Sequence, residues 1–296
     1  MAATEIRLET RNGRFAGLAW PQPGAARMIC LHGWLDNAAS FLPLAPLLDS
    51  LDLVALDFAG HGHSDHRPPG ARYYMMDNLW DLDAVLDALQ WDQCHLLGHS
   101  LGGAVATTYA ATEPGRVGKL VALDGLGPLT EQPGNTVGRL RRSLESVRKA
   151  GGGLRDYAHP DDAARARERA SGLPLEAARL LCTRALAEHG GSYRWRTDPA
   201  LNWHSPALLW EEQVLEILGA IRAPTLALTS HPLAEWIPRD LVKRRLQAVP
   251  DCRHQRIEGH HHFHMDQPQR TAQFILDFLA SPEQTDERHP PDHSEP

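Results

Sequence analysis

Short continuous apolar runs alternate with helical patterns along the chain as far as residue 124. Four runs have the length and composition of buried strands: residues 27–31, 53–57, 95–98 and 117–123. The segments between them that show helical spacing of apolar residues are residues 42–48, 74–89 and 101–112. Continuous apolar strands that alternate with helices are buried on both faces. The pattern therefore predicts a mostly parallel sheet covered by helices.

The N-terminal segment has a different pattern, in which apolar and polar positions alternate. Ile6 and Leu8 alternate with polar residues, and residues 15–20 run back after Asn12-Gly13. Asn-Gly between two strand-like segments is a strong hairpin signal. We therefore expect an antiparallel hairpin before the first buried strand.

The alternation stops after residue 124. Residues 125–221 are helical in pattern, rich in Arg and Ala, and interrupted by Gly and Pro. Helices are expected there at residues 140–149, 161–170 and 175–189, followed by strands at residues 224–229 and 253–257 and a helix at residues 269–279. A helical block between two strands of one sheet is an insertion and not an independent domain. We predict a core of residues 1–124 and 222–280 around this insertion, and a disordered, polar, Pro-rich tail at residues 281–296.

Composition narrows the possible functions. Apolar residues make up 42% of the 296 positions, which is enough for a packed core. With 30 Lys and Arg against 37 Asp and Glu, the net charge of −7 offers no basic field for nucleic acid. No apolar run is long enough to cross a bilayer, and the N-terminus lacks the order of a secretory signal. The four cysteines form no CxxC pair and fit reduced thiols, so we expect a cytoplasmic protein without nucleic-acid or membrane partners.

A candidate nucleophile lies between the third apolar run and the helix that follows it. The motif is Gly98-His99-Ser100-Leu101-Gly102. A sharp strand-to-helix turn forces the serine into a strained backbone conformation, and side chains two positions before and after it would clash. Glycine at both positions removes the clash, and the start of the helix directs its N–H groups at the site. The context predicts that Ser100 is a catalytic nucleophile.

A second turn follows the first buried strand, at His32-Gly33-Trp34. A turn at this place brings a backbone N–H group toward the same pocket. We expect the backbone N–H groups of Trp34 and Leu101 to form an oxyanion hole.

These motifs together resemble the α/β-hydrolase superfamily. They are the His-Gly-Trp turn, the segment from Asp57 to Ser64, and the glycine-flanked Ser100. The segment at residues 32–41 is similar to the serine hydrolase-like proteins within that superfamily, and the resemblance covers about residues 4 to 280. It implies an α/β fold with an eight-stranded, mostly parallel sheet, helices on both faces, and a helical cap at residues 125–221, inserted after strand 6.

The resemblance also implies the position of the general base. In the superfamily the base lies seven residues before a proline and five before an acidic residue, and His261 satisfies this spacing with Pro268 and Asp266. The neighbouring histidines at positions 260, 262 and 264 suggest a metal site as an alternative. Consecutive residues of one loop do not all converge on one ion, and no Cys or carboxylate has ligand spacing to them. We therefore expect no metal and no cofactor.

The acid of the predicted triad is the open position. Relatives carry an aspartate a few residues after the seventh strand, but residues 229–238 of this chain contain none. Asp124, at the end of the fourth apolar run, is the favoured replacement, and Glu235 is the alternative. A third possibility is that neither carboxylate reaches His261. A carboxylate in this role holds the imidazole tautomer and stabilises the imidazolium.

The residues predict acyl transfer to water by a serine hydrolase acting on a small-molecule ester or related acyl substrate. Carboxylesterase activity is expected first, and thioester, lactone, C–C-bond and perhydrolase chemistry use the same groups. The irregular acid position motivates a different hypothesis, a non-catalytic ligand-binding protein on the same fold.

Overall fold

The structure, a computed structural model, describes residues 2–149, 155–234 and 237–281. Within these ranges the chain forms eleven strands: β1 (Thr4–Thr10), β2 (Gly13–Trp20), β3 (Ala26–Leu31), β4 (Leu51–Leu56), β5 (Cys94–His99), β6 (Val117–Leu123), β7 (Asp156–Tyr157), β8 (Leu186–His189), β9 (Ser192–Trp195), β10 (Thr225–His231) and β11 (Cys252–Glu258). The α-helices of the same ranges are α1 (Asp77–Ala88), α2 (Leu101–Thr112), α3 (Thr136–Lys149), α4 (Pro160–Ser171), α5 (Leu175–Ala185), α6 (Glu211–Gly219), α7 (Arg239–Ala248), α8 (Phe263–Asp266) and α9 (Pro268–Ala280). None of the described helices is both long and apolar enough to span a bilayer.

Eight of the strands form one sheet in the order β1-β2-β4-β3-β5-β6-β10-β11. The β1–β2 and β2–β4 pairs are antiparallel, and the other pairs are parallel. The predicted N-terminal hairpin and the predicted eight-stranded, mostly parallel sheet are both confirmed. The carboxyl ends of the parallel strands meet at one edge, which is where ligands bind in open α/β sheets.

Buried apolar clusters cover both faces of this sheet. Ile29 of β3 lies in one cluster with Val105 of α2. Its neighbour Cys30 lies in the other cluster with Ile275 of α9. Successive side chains of a strand point to opposite faces. The continuous apolar runs of the sequence therefore contribute side chains to both buried clusters.

The insertion differs in detail from the helical block that the sequence predicts. It contains a second sheet of three strands in the order β7-β9-β8. The helix predicted at residues 175–189 ends at Ala185, and Leu186–His189 pairs with Ser192–Trp195. Gly190 and Gly191 both have positive φ and form the turn between these strands. Two consecutive glycines between short strands are a hairpin signal that is already present in the sequence.

Two further elements depart from the predicted pattern. Residues 42–48, expected to be helical, contain a short 3-10 turn at Ala45–Leu47, because Pro43 and Pro46 interrupt an α-helix. Helix α6 falls inside the predicted insertion, yet its Val214 packs in the same buried cluster as the sheet. The division into core, cap and tail stays a prediction. Beyond residue 281, the expected tail lies outside the described residues.

Helix α5 of the insertion contacts the carboxyl edge of the main sheet through buried polar groups. Asp57, directly after β4, accepts a hydrogen bond from Arg184 Nε of α5 at 2.6 Å, and both side chains are buried. Asn37 Nδ2, in the segment after β3, donates to the Leu181 carbonyl of α5 at 3.0 Å. A buried ion pair of this kind holds α5 against the end of β4, because separating the two charges would leave a buried carboxylate without a partner.

Candidate active site

Ser100 occupies the turn between β5 and α2 in a strained conformation. Its φ is 51° and its ψ is −112°, outside the regions that non-glycine residues favour. Its N–H donates to the Leu123 carbonyl at the end of the adjacent β6, at 3.0 Å. Strain of this kind costs about 1–3 kcal/mol and persists where the surrounding structure enforces it.

The glycines on both sides of Ser100 are required by close backbone contacts. A Cβ atom at Gly98 would lie 2.2 Å from the Gly102 carbonyl oxygen. At Gly102, a Cβ atom would lie 2.0 Å from the carbonyl oxygen of Leu31 on β3. The steric reason that the motif suggests is therefore present in the structure. Gly125, which sequence reasoning did not single out, has the same constraint, since its Cβ atom would lie 2.3 Å from the Ser100 carbonyl oxygen.

Asp124 and His261 are brought together at the carboxyl edge of the sheet. His261 Nδ1 and Asp124 Oδ2 are 2.8 Å apart, and the Asp124 side chain is only 1% exposed. The same carboxylate accepts hydrogen bonds from the Ser230 N–H at 3.0 Å and from the Ser230 hydroxyl at 2.8 Å. With three donors, the buried carboxylate is hydrogen-bonded as an anion.

The strand order explains why a residue after β6 reaches this position. Strands β5 and β6 are adjacent and parallel, so Ser100 and Asp124 follow neighbouring strand ends. On the next strand, β10, Ser230 supplies a hydrogen-bond donor to Asp124. Sequence reasoning missed Ser230, although a polar residue at the end of a buried run was a usable signal. Glu235, the alternative acid, lies outside the described residues.

The turn expected to form the oxyanion hole is held on both sides of Trp34. The N–H of Asp36 donates to the Gly33 carbonyl at 3.1 Å, and Leu35 has a φ of 62°. Within the described part of the chain, the backbone N–H groups of Trp34 and Leu101 donate to no protein acceptor. The turn at residues 32–34 lies beside the start of α2, because the N–H of Gly102 donates to the His32 carbonyl at 3.0 Å. The N–H groups of Trp34 and Leu101 are therefore two donors close to Ser100.

Two buried histidines support this turn as neutral rings. His32 Nδ1 donates to the Gly33 carbonyl at 2.7 Å, and His32 Nε2 accepts from the Phe58 N–H at 3.0 Å. His61 Nε2 accepts from the Leu35 N–H at 3.1 Å. Burial lowers the pKa of His32, and burial together with the neighbouring His32 lowers the pKa of His61 to about 3. His61 thus holds the backbone of Leu35 in the turn that is expected to form the oxyanion hole.

The other histidines near His261, at positions 260, 262 and 264, have different surroundings. His260 pairs with the carboxylate of Asp266. His262 Nε2 donates to Asp36 Oδ2 at 3.1 Å. His264 is fully buried, and neither of its ring nitrogens has a hydrogen-bond partner within the described residues. The four neighbouring histidines therefore do not converge on one point.

A different set of metal-binding side chains does converge behind the site. Asp36, His99 and His262 place one ligand atom each within 4.8 Å of one another, and all three are buried. Asp36 also accepts a hydrogen bond from Arg167 Nη2 of α4 at 2.8 Å, so a guanidinium already balances its charge. The expectation that no metal is bound stays a prediction.

A cavity of about 540 Å³ lies within the insertion, and its lining includes Asp161, Arg179, Cys182 and Tyr193. None of its lining residues belongs to the predicted catalytic set. We therefore do not assign it as the substrate pocket.

Comparison with known proteins gives a consistent result. A family model described as alpha/beta hydrolase fold matches residues 26–156. The chain is 30% identical over 302 residues to a serine hydrolase-like protein of Danio rerio, covering 96% of this chain and 91% of that protein. It is 27% identical over 281 residues to a serine hydrolase-like protein of Dictyostelium discoideum, covering 89% and 78% of the two chains. The crystal structure of the hypothetical protein PA1622 of Pseudomonas aeruginosa superimposes with a TM-score of 0.88 at 34% identity, over 94% of this chain and 99% of that one.

Proposed function

The chain belongs to the α/β-hydrolase superfamily, among the serine hydrolase-like proteins, and on that premise we propose that it cleaves a carboxylic ester or a related acyl bond. Ser100 is the nucleophile, His261 the general base and Asp124 the acid of the triad. The observation that carries this proposal is the 2.8 Å hydrogen bond between His261 and Asp124, beside the strained serine turn. Hydrolase activity is the activity that the names of the family and of its serine hydrolase-like members indicate.

The hydrogen bond to Asp124 determines which nitrogen of His261 is basic. An ionised carboxylate accepts only, so His261 Nδ1 carries the proton and the basic lone pair is on Nε2. In the first step Nε2 takes the hydroxyl proton of Ser100 as its oxygen attacks the acyl carbon. The imidazolium then donates that proton to the leaving group. Water repeats the sequence on the acyl-enzyme and regenerates Ser100.

The oxyanion that forms in each step is stabilised by the backbone N–H groups of Trp34 and Leu101. Leu101 is the first residue of α2, so the helix N-terminus adds a favourable partial charge. Removing one such donor costs on the order of 10²–10³ in kcat in serine hydrolases. Asp124 contributes to the same steps because its buried charge stabilises the imidazolium.

The substrate class follows from the chemistry that these groups perform without further help. Esters need the least assistance to the leaving group, so carboxylesterase activity is proposed first. Thioesters and lactones use the same nucleophile, base and oxyanion hole. No metal or cofactor has a role in the proposed reaction.

The experiment that tests the proposal compares the protein with its Ser100→Ala variant. Both are incubated with p-nitrophenyl esters of two-, four-, eight- and twelve-carbon acids, and both are treated with a fluorophosphonate probe. Hydrolysis that disappears in the variant, with an adduct on Ser100 in the wild type, is the expected result. The chain-length profile then gives the acyl preference.

Two other outcomes separate the alternatives. An adduct on Ser100 without ester turnover would mean a reactive nucleophile whose substrate is a different acyl compound. Absence of both adduct and turnover would contradict a serine hydrolase and favour a ligand-binding protein on this fold.

A further inference from the structure

We propose that His99 and Asp36 are positioning residues for the base, and that they couple Arg167 of the insertion to His261. This proposal rests on the proposed function, since it concerns the placement of the proposed base. The residues come from four separate segments of the chain. They form one buried group of histidine rings and charged side chains next to the backbone of His261.

The first contact in this group joins the nucleophile strand to the base loop. His99 Nε2 donates to the backbone carbonyl of His261 at 2.9 Å. His99 is the residue before Ser100, and it is fully buried. One ring therefore holds the backbone of the base at a fixed distance from the nucleophile turn.

The protonation state of His99 follows from this contact and its surroundings. Burial, together with the neighbouring rings of His264 and His262, holds the pKa of His99 well below its ordinary value. The neutral ring carries its proton on Nε2, where the His261 carbonyl accepts it. Its Nδ1 is then a lone pair, 3.7 Å from Asp36 Oδ2 and without a hydrogen-bond partner among the described residues.

The second contact joins the base loop to the oxyanion turn. Asp36 Oδ2 accepts from His262 Nε2 at 3.1 Å, and His262 is the residue after the proposed base. The N–H of Asp36 closes the turn by donating to the Gly33 carbonyl at 3.1 Å. Asp36 is thus bound at once to the loop that carries the base and to the turn that carries an oxyanion donor.

The third contact extends this group into the insertion. Asp36 Oδ1 accepts from Arg167 Nη2 at 2.8 Å. Burial disfavours the charge on Asp36, but His262 and Arg167 outweigh it and keep the pKa of Asp36 well below its usual range. The carboxylate is therefore ionised. It connects α4 to the loop of His261, because it accepts hydrogen bonds from both Arg167 and His262.

A small error in the placement of a catalytic group has a large kinetic effect. A misplacement of about 1 Å caused by a distant change can cost about 10²-fold in rate. Loss of the His99 contact removes a restraint on the base while the side chains of Ser100 and Asp124 themselves are unchanged. The expected signature is a lower kcat at nearly constant KM.

The decisive test compares two substitutions of His99. His99→Gln retains an N–H donor at about the reach of Nε2, whereas His99→Phe retains the ring shape without a donor. We expect kcat for the ester to fall about 10- to 100-fold in His99→Phe, and to stay within about fivefold of wild type in His99→Gln. Equal kcat in both variants, whether high or low, would overturn the proposal.

A spectroscopic readout makes the result independent of turnover. The proton shared by His261 Nδ1 and Asp124 resonates at low field in the proton NMR spectrum when this hydrogen bond is held in place. The resonance should persist in His99→Gln and broaden or vanish in His99→Phe, and Asp124→Asn assigns it. If the wild type hydrolyses no ester but the resonance follows this pattern, the proposed function fails and the positioning role stands.

Coupling to the insertion is tested on helix α4 itself. Arg167→Met should lower kcat about 10-fold, and Arg167→Lys should recover part of the loss. The matched control is Arg165→Met, because Arg165 lies on the same helix and pairs with Asp161 at the surface. The control should leave kcat unchanged. An equal effect of Arg165→Met and Arg167→Met would show that α4 acts only through its general stability.

Discussion

Asp124 adopts a left-handed backbone conformation, with a φ of 47°, which is uncommon for residues other than glycine. Its N–H donates to the Leu228 carbonyl of β10 at 2.8 Å, while its side chain is held by Ser230 and His261. The contacts fix both the backbone and the carboxylate of one residue. This degree of restraint is typical of a group whose orientation matters for chemistry.

Asp124→Asn should lower kcat by about 10³- to 10⁴-fold, because the amide no longer selects the tautomer with a proton on His261 Nδ1. The melting temperature should change little, since the amide oxygen still accepts from the Ser230 N–H. Steady-state ester hydrolysis and thermal unfolding are the two measurements. Glu235→Gln is the matched control and should hydrolyse esters at the wild-type rate. The opposite result, with full activity in Asp124→Asn, would remove Asp124 from the triad.

Gly102→Ala should destabilise the fold strongly, because the new Cβ atom would lie 2.0 Å from the Leu31 carbonyl oxygen. We expect a loss of more than about 3 kcal/mol in the free energy of unfolding, or no soluble protein. Gly115→Ala is the control, since a Cβ atom at that position meets nothing within 4 Å. Urea unfolding of both variants measures the difference. A small effect at Gly102 would mean that α2 shifts to accommodate a side chain.

The sequence carries information about some residues of the site and not about others. Ser100 stands in a local motif whose steric logic is readable, and the structure places Asp124 and His261 in contact. The contacts of Asp36 with His99 and His262 are different, because they join residues far apart in the chain. No local sequence pattern predicts such a contact, so the buried group of Asp36, His99 and His262 is evident only from the three-dimensional structure.

The elements of the main sheet were predictable because each central strand is one continuous apolar run. The insertion was less predictable, since its strands are short and half-exposed. Strand β8 follows α5 without a polar break, and Arg and Ala favour a helix on either side of the boundary. Pairing with β9 decides its conformation, and pairing is a tertiary property that propensity does not contain.

The contact between α5 and the core should contribute strongly to stability. Arg184→Met leaves the buried Asp57 carboxylate without its cation, and we expect a loss of about 3–5 kcal/mol. Arg194→Met is the matched control within the insertion, because the Arg194–Asp156 pair is partly exposed and should contribute less than about 1 kcal/mol. Thermal unfolding compares the two variants. Similar melting temperatures would mean that Asp57 finds another partner when Arg184 is absent.

At the scale of the whole molecule, buried neutral histidines should make the fold sensitive to acid. The pKa values of His32, His61, His99 and His264 are all lowered by burial, to about 3 for His61. An unfolded histidine takes a proton near pH 6.5, whereas these rings do not. The unfolded state therefore binds more protons below pH 6.5, and stability falls as the pH is lowered.

For His61, whose pKa is lowered to about 3, the expected loss is about 1 kcal/mol between pH 6.5 and pH 5.5, and the other three histidines act in the same direction. Urea unfolding at pH 7.5, 6.5 and 5.5 measures the slope of stability against pH. His61→Gln should reduce that slope by the contribution of one histidine. A free energy of unfolding that stays constant between pH 7.5 and pH 5.5 would contradict neutral burial of these rings.

The position of the insertion between Asp124 and the later strands has a consequence for engineering. The proposed nucleophile and acid precede residue 125 and the proposed base follows residue 221, so a segment from another homologue could be exchanged as a cassette. The donor segment would have to supply arginines in place of Arg167 and Arg184. Without them, Asp36 and Asp57 would be left as buried charges. Chimeras that keep these two arginines and the core-packed Val214 of α6, and vary the remaining residues of the segment, would test whether this segment determines the substrate range.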